Sequence, residues 1–311
     1  MSGLMASLRD TLRSYGESTG RSRVVTEIPE LQARRIVEYE EGTLSGVLSG
    51  YDTTPEACRD ESDWVHWSSL VNGLCARQMV LQRRYPSRGL RQVGQGQRLL
   101  WKLGRAAETH VRETLKYAFP SQAYGVWQCG CEQSTYEGTW LEAVEKDVCH
   151  VCGWRLCKYQ EMCFQDDERK IVGSPDLLLS LSAGFVPVEC KSANAKSFVK
   201  IQKRPESDHV LQNLGYVRLG ERSGYRMAGF GIVIYVAKEY KWGEVPYREH
   251  VVTERRYRLS GTLDLLDRTA EMVVLYSERG SGFPDRLRYC MGGPDSSRAK
   301  KCSACALCFS V

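Results

Sequence analysis

The chain of 311 residues has no apolar run approaching the roughly 18 residues that a membrane-crossing helix needs. Its start, Met1-Ser2-Gly3-Leu4, lacks the charged region and apolar stretch of a secretory signal, so a cytoplasmic protein is expected. No repeat with a period of twenty to fifty residues is present, which argues against a solenoid or propeller, and no low-complexity tract marks a long linker. A net charge of +5 is too small to argue for nucleic-acid binding by itself. What remains is 42% hydrophobic and 26% charged residues, a balance typical of globular proteins with a substantial core.

Cysteine, by contrast, is abundant. Thirteen cysteines in a chain without a secretory signal point to metal ligation, because the cytosol keeps thiols reduced. Cys129-Gly130-Cys131 and Cys149-His150-Val151-Cys152 are two close pairs, the spacing of short strands closed around tetrahedral zinc. A zinc ribbon is therefore expected at 125–156, inserted into a larger domain, with Cys157 and Cys163 nearby as free thiols or as a substitute ligand. Cys290, Cys302, Cys305 and Cys308 form a second group whose spacing suffices for another zinc site.

Chemistry is concentrated further along. Gly173-Ser174-Pro175-Asp176 precedes the apolar run Leu177-Leu178-Leu179, and Val186-Pro187-Val188-Glu189-Cys190-Lys191 follows a turn at Ser182-Ala183-Gly184. Both segments read as strands of one hairpin, and the period of two puts Glu189 and Lys191 on one face with Val188 and Cys190 on the other. Phosphodiester hydrolysis uses a hard divalent ion held by one or two carboxylates, which Asp176 and Glu189 would supply for Mg²⁺ or Mn²⁺. The ammonium of Lys191 would orient water and stabilise charge developing on phosphate oxygens. Upstream, a helical segment runs from Trp101 to about Tyr117, with an apolar stripe at Leu100, Leu103, Ala107 and Val111. Glu108 and His110 fall on opposite borders of that stripe, so the two cannot face the same point. Downstream, Gln212 and Tyr216 lie four residues apart on one helix face.

This order of helix, PD, ExK and QxxxY resembles the RecB-type branch of the PD-(D/E)XK nucleases over roughly residues 68 to 308. It is similar to the iron–sulfur CRISPR-associated adaptation nucleases and to phage exonucleases. The resemblance implies an α/β fold with a restriction-endonuclease-like mixed sheet flanked by helices, in a domain spanning 63–311 and preceded by an accessory helical region at 1–62. It implies metal-dependent hydrolysis of DNA at ends or single strands in recombination, repair or replication, with recombination or replication proteins as candidate partners. Gln212 and Tyr216 would position DNA or the lysine, and Glu108 or His110 would complete the metal shell, the spacing after Gly104 favouring Glu108. It also implies a [4Fe–4S] cluster with one cysteine before the core and three after it: Cys75 with Cys302, Cys305 and Cys308, or with Cys290, Cys302 and Cys308. Zinc is the alternative ion there.

Supporting features are looser. Eight Lys/Arg and no acid lie between Arg77 and Arg105, interleaved with Tyr85 and Trp101, and Lys196, Lys200, Lys203 and Arg204 follow the ExK strand. Such tracts suit phosphate neutralisation, and exposed aromatics suit base stacking. Gly94-Gln95-Gly96 reads as a turn, Gly229 to Lys238 as a buried strand, and Leu263 to Tyr276 as a helix introduced by Ser260 or Thr262. The competing reading is a non-catalytic, zinc-containing nucleic-acid-binding protein with a nuclease-like core.

Overall fold

The computed structural model describes residues 64–73, 75–85, 95–145, 149–153, 158–238 and 246–285. The expected accessory helical region at 1–62 and the cysteines at 290, 302, 305 and 308 lie outside the described residues. So does Cys157.

Ten strands and eight helices are described. In chain order they are β1 (Val65–His66), α1 (Trp67–Gly73), α2 (Ala76–Arg84), α3 (Gln95–Ala118), β2 (Ala123–Gln128), β3 (Thr135–Thr139), α4 (Trp140–Glu145), β4 (Lys158–Gln160), β5 (Phe164–Asp166), β6 (Ile171–Gly173), β7 (Leu177–Leu181) and β8 (Gly184–Ala193). Then follow α5 (Ala195–Ile201), α6 (Ser207–Arg222), β9 (Gly231–Ala237), β10 (Tyr247–Val252), α7 (Glu254–Tyr257) and α8 (Ser260–Arg279).

The main sheet has the order β10-β9-β8-β7-β2-β3, with β4 also paired to β2, and a second sheet has the order β1-β6-β5. Within the main sheet β8 and β9 are parallel and the other pairs antiparallel, so the sheet is mixed. The parallel pair requires a crossover, which α5 and α6 provide. The expected mixed α/β core flanked by helices is therefore present.

Strand alternation sorts β7 and β8 between two cores. Leu177, Leu179, Val186, Val188 and Cys190 pack under α3 with Val111, Leu115 and Phe119. On the opposite face Leu178, Val233 and Tyr235 pack with Val210, Leu211, Leu214 and Val217 of α6. The hairpin turns at Gly184, whose φ of +131° and closeness to Arg226 O leave no room for a side chain. Asn213, fully buried on α6, donates its Nδ2 to Pro187 O and Ile232 O, both at 3.1 Å, and so bridges β8 to β9.

Three local expectations are corrected. The stripe on α3 is buried only from its middle onward: Leu100 and Leu103 are exposed, and the face that meets the sheet is Gly104, Glu108, Val111 and Leu115. Gln95 and Gly96, expected within a turn, belong to α3, whereas Gly94 lies outside the described residues. Neither Ser260 nor Thr262 caps α8, whose N-cap is Leu259 with no side-chain hydrogen bond. That helix instead gains definition at its end, where Gly280 adopts a left-handed conformation.

Helix α6 lies close against α1 because Gly215 has no side chain. A Cβ there would sit 1.7 Å from Trp67 Nε1, whose hydrogen donates to Leu211 O at 3.2 Å. Gly215→Ala should therefore cost about 2–3 kcal/mol, read as a lower denaturation midpoint. Gly96→Ala, with open space at its Cβ, should be neutral or gain up to about 1 kcal/mol. Equal stability of the two variants would contradict this packing.

Candidate active site

Asp176 sits immediately before β7, and its Oδ2 accepts the backbone N–H of Cys190 at 2.6 Å. That bond fixes it across the hairpin from Glu189, the residue preceding Cys190. Glu189 is buried, at 2% exposure, and its Oε1 is paired with the Lys191 ammonium. The same Oε1 accepts Gln212 Nε2 at 2.8 Å, and Gln212 Nε2 also donates to the Tyr216 hydroxyl at 2.8 Å. The structure thus brings Asp176, Glu189, Lys191, Gln212 and Tyr216 together, with Gln212 holding the glutamate rather than the lysine. The other oxygen, Glu189 Oε2, is buried with no hydrogen-bond partner among the described residues.

Burying two neighbouring carboxylates has an electrostatic cost. Burial, and then the neighbouring Glu189 charge, push the Asp176 carboxyl well above the usual range, with Lys191 and the Cys190 N–H pulling it back. Glu189 is likewise raised by burial, opposed by Lys191 and reinforced by Glu108 and Glu161. Burial works against the Lys191 charge, but Glu189 and Asp176 outweigh it and raise its pKa, so the ammonium is retained at neutral pH. A divalent cation is the ligand class that would relieve the repulsion and satisfy Glu189 Oε2. The donor set therefore fits a Mg²⁺ or Mn²⁺ ion.

The upstream helix contributes Glu108. Gly104, one turn earlier, lets α3 approach β8, since a Cβ there would lie 3.3 Å from Ser192 Oγ. Glu108 is partly buried, and its charge acts on Asp176, Glu189 and Lys191. His110 is exposed and turned elsewhere: its Nε2 lies 2.9 Å from the Tyr247 hydroxyl on β10.

Four residues near the centre had no role in the sequence reading. Asn213 staples β8 to β9, as described above. Arg112, four residues after Glu108, lies over the Tyr159 ring at 5.2 Å and reaches Glu161 Oε1 at 3.4 Å. The sequence signal for Arg112 was its i+4 spacing from Glu108. Tyr159 and Glu161 carried none, because only the pairing of β4 with β2 brings them near.

The four ribbon cysteines converge. The sulfur atoms of Cys129, Cys131, Cys149 and Cys152 all lie within 4.8 Å of one another. Tetrahedral zinc with Zn–S bonds of about 2.3 Å separates its sulfurs by roughly 3.8 Å, so this set fits one ion. The Ser134 hydroxyl, 3.2 Å from Cys149 Sγ, and backbone N–H groups bring the Cys149 thiol down to about 5, favouring the thiolate that binds metal. Cys129 and Cys149 pack on Trp127 and Ala143, tying this knuckle to β2. Cys163 stands apart as an exposed thiol.

Cys75 is buried at the N-cap of α2, where its sulfur accepts Gln78 N–H at 3.4 Å. Two residues on, Arg77 donates to Pro284 O at 3.2 Å, and the Arg77 and Arg84 guanidiniums both lie over the Phe283 ring. Arg84 also donates to Gly282 O at 2.7 Å, and Arg83 to Trp64 O at 2.6 Å. The first part of the basic tract thus serves the fold. Lys196, Lys200, Lys203 and Arg204, by contrast, are exposed beyond the ExK strand.

No protein-family model matches the chain, and no curated protein matches it by sequence. Among solved structures, the chain is similar to an alkaline exonuclease from Laribacter hongkongensis, at 11% identity and a TM-score of 0.40 over 70% of this chain and 93% of that one. A likeness of that strength carries no functional argument, which rests instead on the side chains.

Two measurements test this geometry. A carboxyl whose folded-state pKa is raised destabilises the fold at pH values above both its pKa values, and the loss sets in as pH rises from the unfolded value near 3.8. At pH 8 in chelator, Asp176→Asn should therefore melt higher than wild type, while Mg²⁺ or Mn²⁺ should raise the wild-type melting temperature by several degrees and the variant's far less. Equal responses to the ion would contradict a site at Asp176. Separately, Cys149→Ser should lose about one zinc equivalent per chain together with stability, by elemental analysis and thermal melting. Unchanged zinc content would rule out the knuckle as its holder.

Proposed function

We propose that the chain is a metal-dependent deoxyribonuclease of the exonuclease kind, hydrolysing phosphodiester bonds at DNA ends or in single strands. The observation that carries this reading is Glu189 Oε2, a buried carboxylate oxygen without a partner, set beside Asp176 and a charged Lys191. A purely structural ion pair would satisfy both oxygens, because an unpaired buried one is costly.

Asp176 and Glu189, with Glu108 from α3, would hold Mg²⁺ or Mn²⁺, which supplies Lewis acidity toward a phosphate oxygen and activation of water. The chain's own residues do the rest. Gln212, fixed by the Tyr216 hydroxyl, holds Glu189 Oε1 in place. Lys191 offers N–H donors to water and to the oxygens on which charge develops. DNA as the substrate is supported by the exposed bases of Lys196, Lys200, Lys203 and Arg204, and by Trp101, exposed two turns before Glu108 on α3. Such an activity belongs to recombination, repair or replication, and proteins of those processes are the partners to seek.

The cysteine sites complete the reading as scaffolds. The knuckle is assigned structural Zn²⁺. Cys75 is assigned to a [4Fe–4S] cluster with Cys302, Cys305 and Cys308, or with Cys290, Cys302 and Cys308, and Zn²⁺ is the alternative there. The docking of Phe283 and Pro284 beside Arg77, two residues after Cys75, supports it. Thiolates of this kind suit such a cluster.

Asp176→Ala and Lys191→Ala should each lower cleavage of end-labelled single- and double-stranded DNA at least 100-fold in Mg²⁺ or Mn²⁺ while leaving the fold intact by circular dichroism. Lys191→Arg should not restore it, because the bulkier planar head cannot occupy the same position. Full activity in both alanine variants would refute the assignment. DNA binding without divalent-dependent cleavage by the wild type would instead support a non-catalytic nucleic-acid-binding protein.

A further inference from the structure

Helix α6 meets the parallel pair β8–β9 with polar side chains at successive turns. Gln212 and Tyr216 hold Glu189, as described above. One turn earlier, His209 places its Nδ1 2.8 Å from the hydroxyl of Tyr235, and the backbone N–H of Glu206, the N-cap of α6, donates to that same oxygen at 3.1 Å. Tyr235 is the register partner of Lys191, and Val233 that of Glu189, so Tyr235 and Lys191 stand side by side on the face that α6 covers. The Tyr235 ring is fully buried. His250 of β10 packs edge-on against it at 5.9 Å, with its own Nε2 2.7 Å from Ile201 O.

We propose that His209 and Tyr235 are positioning residues for Lys191, fixing the ring beside it so that its ammonium stays turned toward Glu189. This deepens the hydrolytic reading above and rests on the role given there to Lys191. A lysine stem is flexible, and the pairing with Glu189 anchors only its tip. The neighbouring ring, gripped at its hydroxyl by two groups of α6 and flanked by His250, closes the β9 side of that stem. His209 and Tyr235 thus do for the lysine what Gln212 and Tyr216 do for the glutamate, from the same helix and through another tyrosine hydroxyl.

Hydrogen-bond capacity assigns the tautomer. Tyr235 Oη accepts the Glu206 N–H, which leaves its own hydrogen for His209 Nδ1, and the imidazole proton then sits on Nε2, facing Glu206 Oε2 at 3.8 Å. A protonated ring would make Nδ1 a donor aimed at a hydroxyl that is already donating, and would set a second cation near Lys191. Burial, and then the Lys191 charge, push His209 down to about 4, so the ring is neutral at pH 7. The titratable groups around the pair are Glu206 of α6, Lys191 of β8, His250 of β10 and Tyr257 of α7.

The test follows the Lys191 ammonium by NMR in the full-length protein with isotope-labelled lysine, its signal assigned by its loss in Lys191→Arg. Wild type should show an ammonium protected from solvent exchange. Tyr235→Phe, which keeps the buried ring, and His209→Ala should both lose that protection, and His209→Asn, whose amide oxygen stands where Nδ1 stood, should retain it. In DNA cleavage the first two should lower kcat about 10-fold with KM and Mn²⁺ affinity unchanged, and His209→Asn should recover most of the loss. Tyr235→Phe should also move the acid limb of the pH profile upward, because without the hydroxyl donor His209 takes a proton at higher pH. An unprotected Lys191 signal in wild type, or protection unaltered in both Tyr235→Phe and His209→Ala, overturns the proposal. Signals that respond as expected in a protein that cleaves no DNA would sink the nuclease reading and leave this one standing. Divalent-dependent cleavage with unaltered signals would do the reverse.

Discussion

The repulsion between Asp176 and Glu189, forced together where β7 and β8 begin to pair, is the constraint around which the surrounding structure is arranged. Two buried neighbouring carboxylates disfavour each other's charge, and the contacts around them offset part of that. The Cys190 N–H binds one, Lys191 and Gln212 bind the other, and Tyr216 braces Gln212 from the next helical turn. What these contacts leave over is one buried oxygen and an excess of negative charge, the condition under which a cation binds.

The supports of this centre are themselves tied down. Asn213 holds β8 against β9 from inside α6, and Gly215 lets that helix press on Trp67. On the far side of α6, Arg218 pairs with Glu254 and Asp264, and Arg222 with Asp166 and Asp267, locking it to α7, α8 and β5. A helix so restrained places Gln212 with little freedom, which is what a site needs if its geometry is to persist before substrate arrives.

The hairpin, the helix after it and the cysteine pairs were legible in the sequence because their signals are local: period-two strands, i+4 pairs and close cysteine spacing. The long helix α3 was legible as a helix but misread as to its buried face. Leu100 and Leu103 look like core residues by periodicity, yet the sheet is met by Gly104 and Glu108, and a glycine contact leaves no hydrophobic trace. Arg77, Arg83 and Arg84 looked like a phosphate-binding tract, whereas they hydrogen-bond backbone carbonyls of remote segments, which charge counting cannot distinguish. Glu161 and Tyr159 were invisible for a third reason. Their place depends on β4 and β7 sharing one edge of β2 across a sixteen-residue excursion, from 161 to 176, and pairing of that kind is a property of the sheet rather than of any window of sequence.

The four-cysteine knuckle packs against β2, and the clamp around Phe283 ties α2 to the segment that follows α8. Both are features of the scaffold, whereas the chemistry depends on the carboxylates. The central claim is tested most directly by a crystal structure of the protein soaked in Mn²⁺, with anomalous scattering locating the ion. The account predicts a peak within bonding distance of carboxylate oxygens from both Asp176 and Glu189, with Glu189 Oε2 among them. Well-ordered carboxylates with no peak between them at millimolar Mn²⁺ would contradict it.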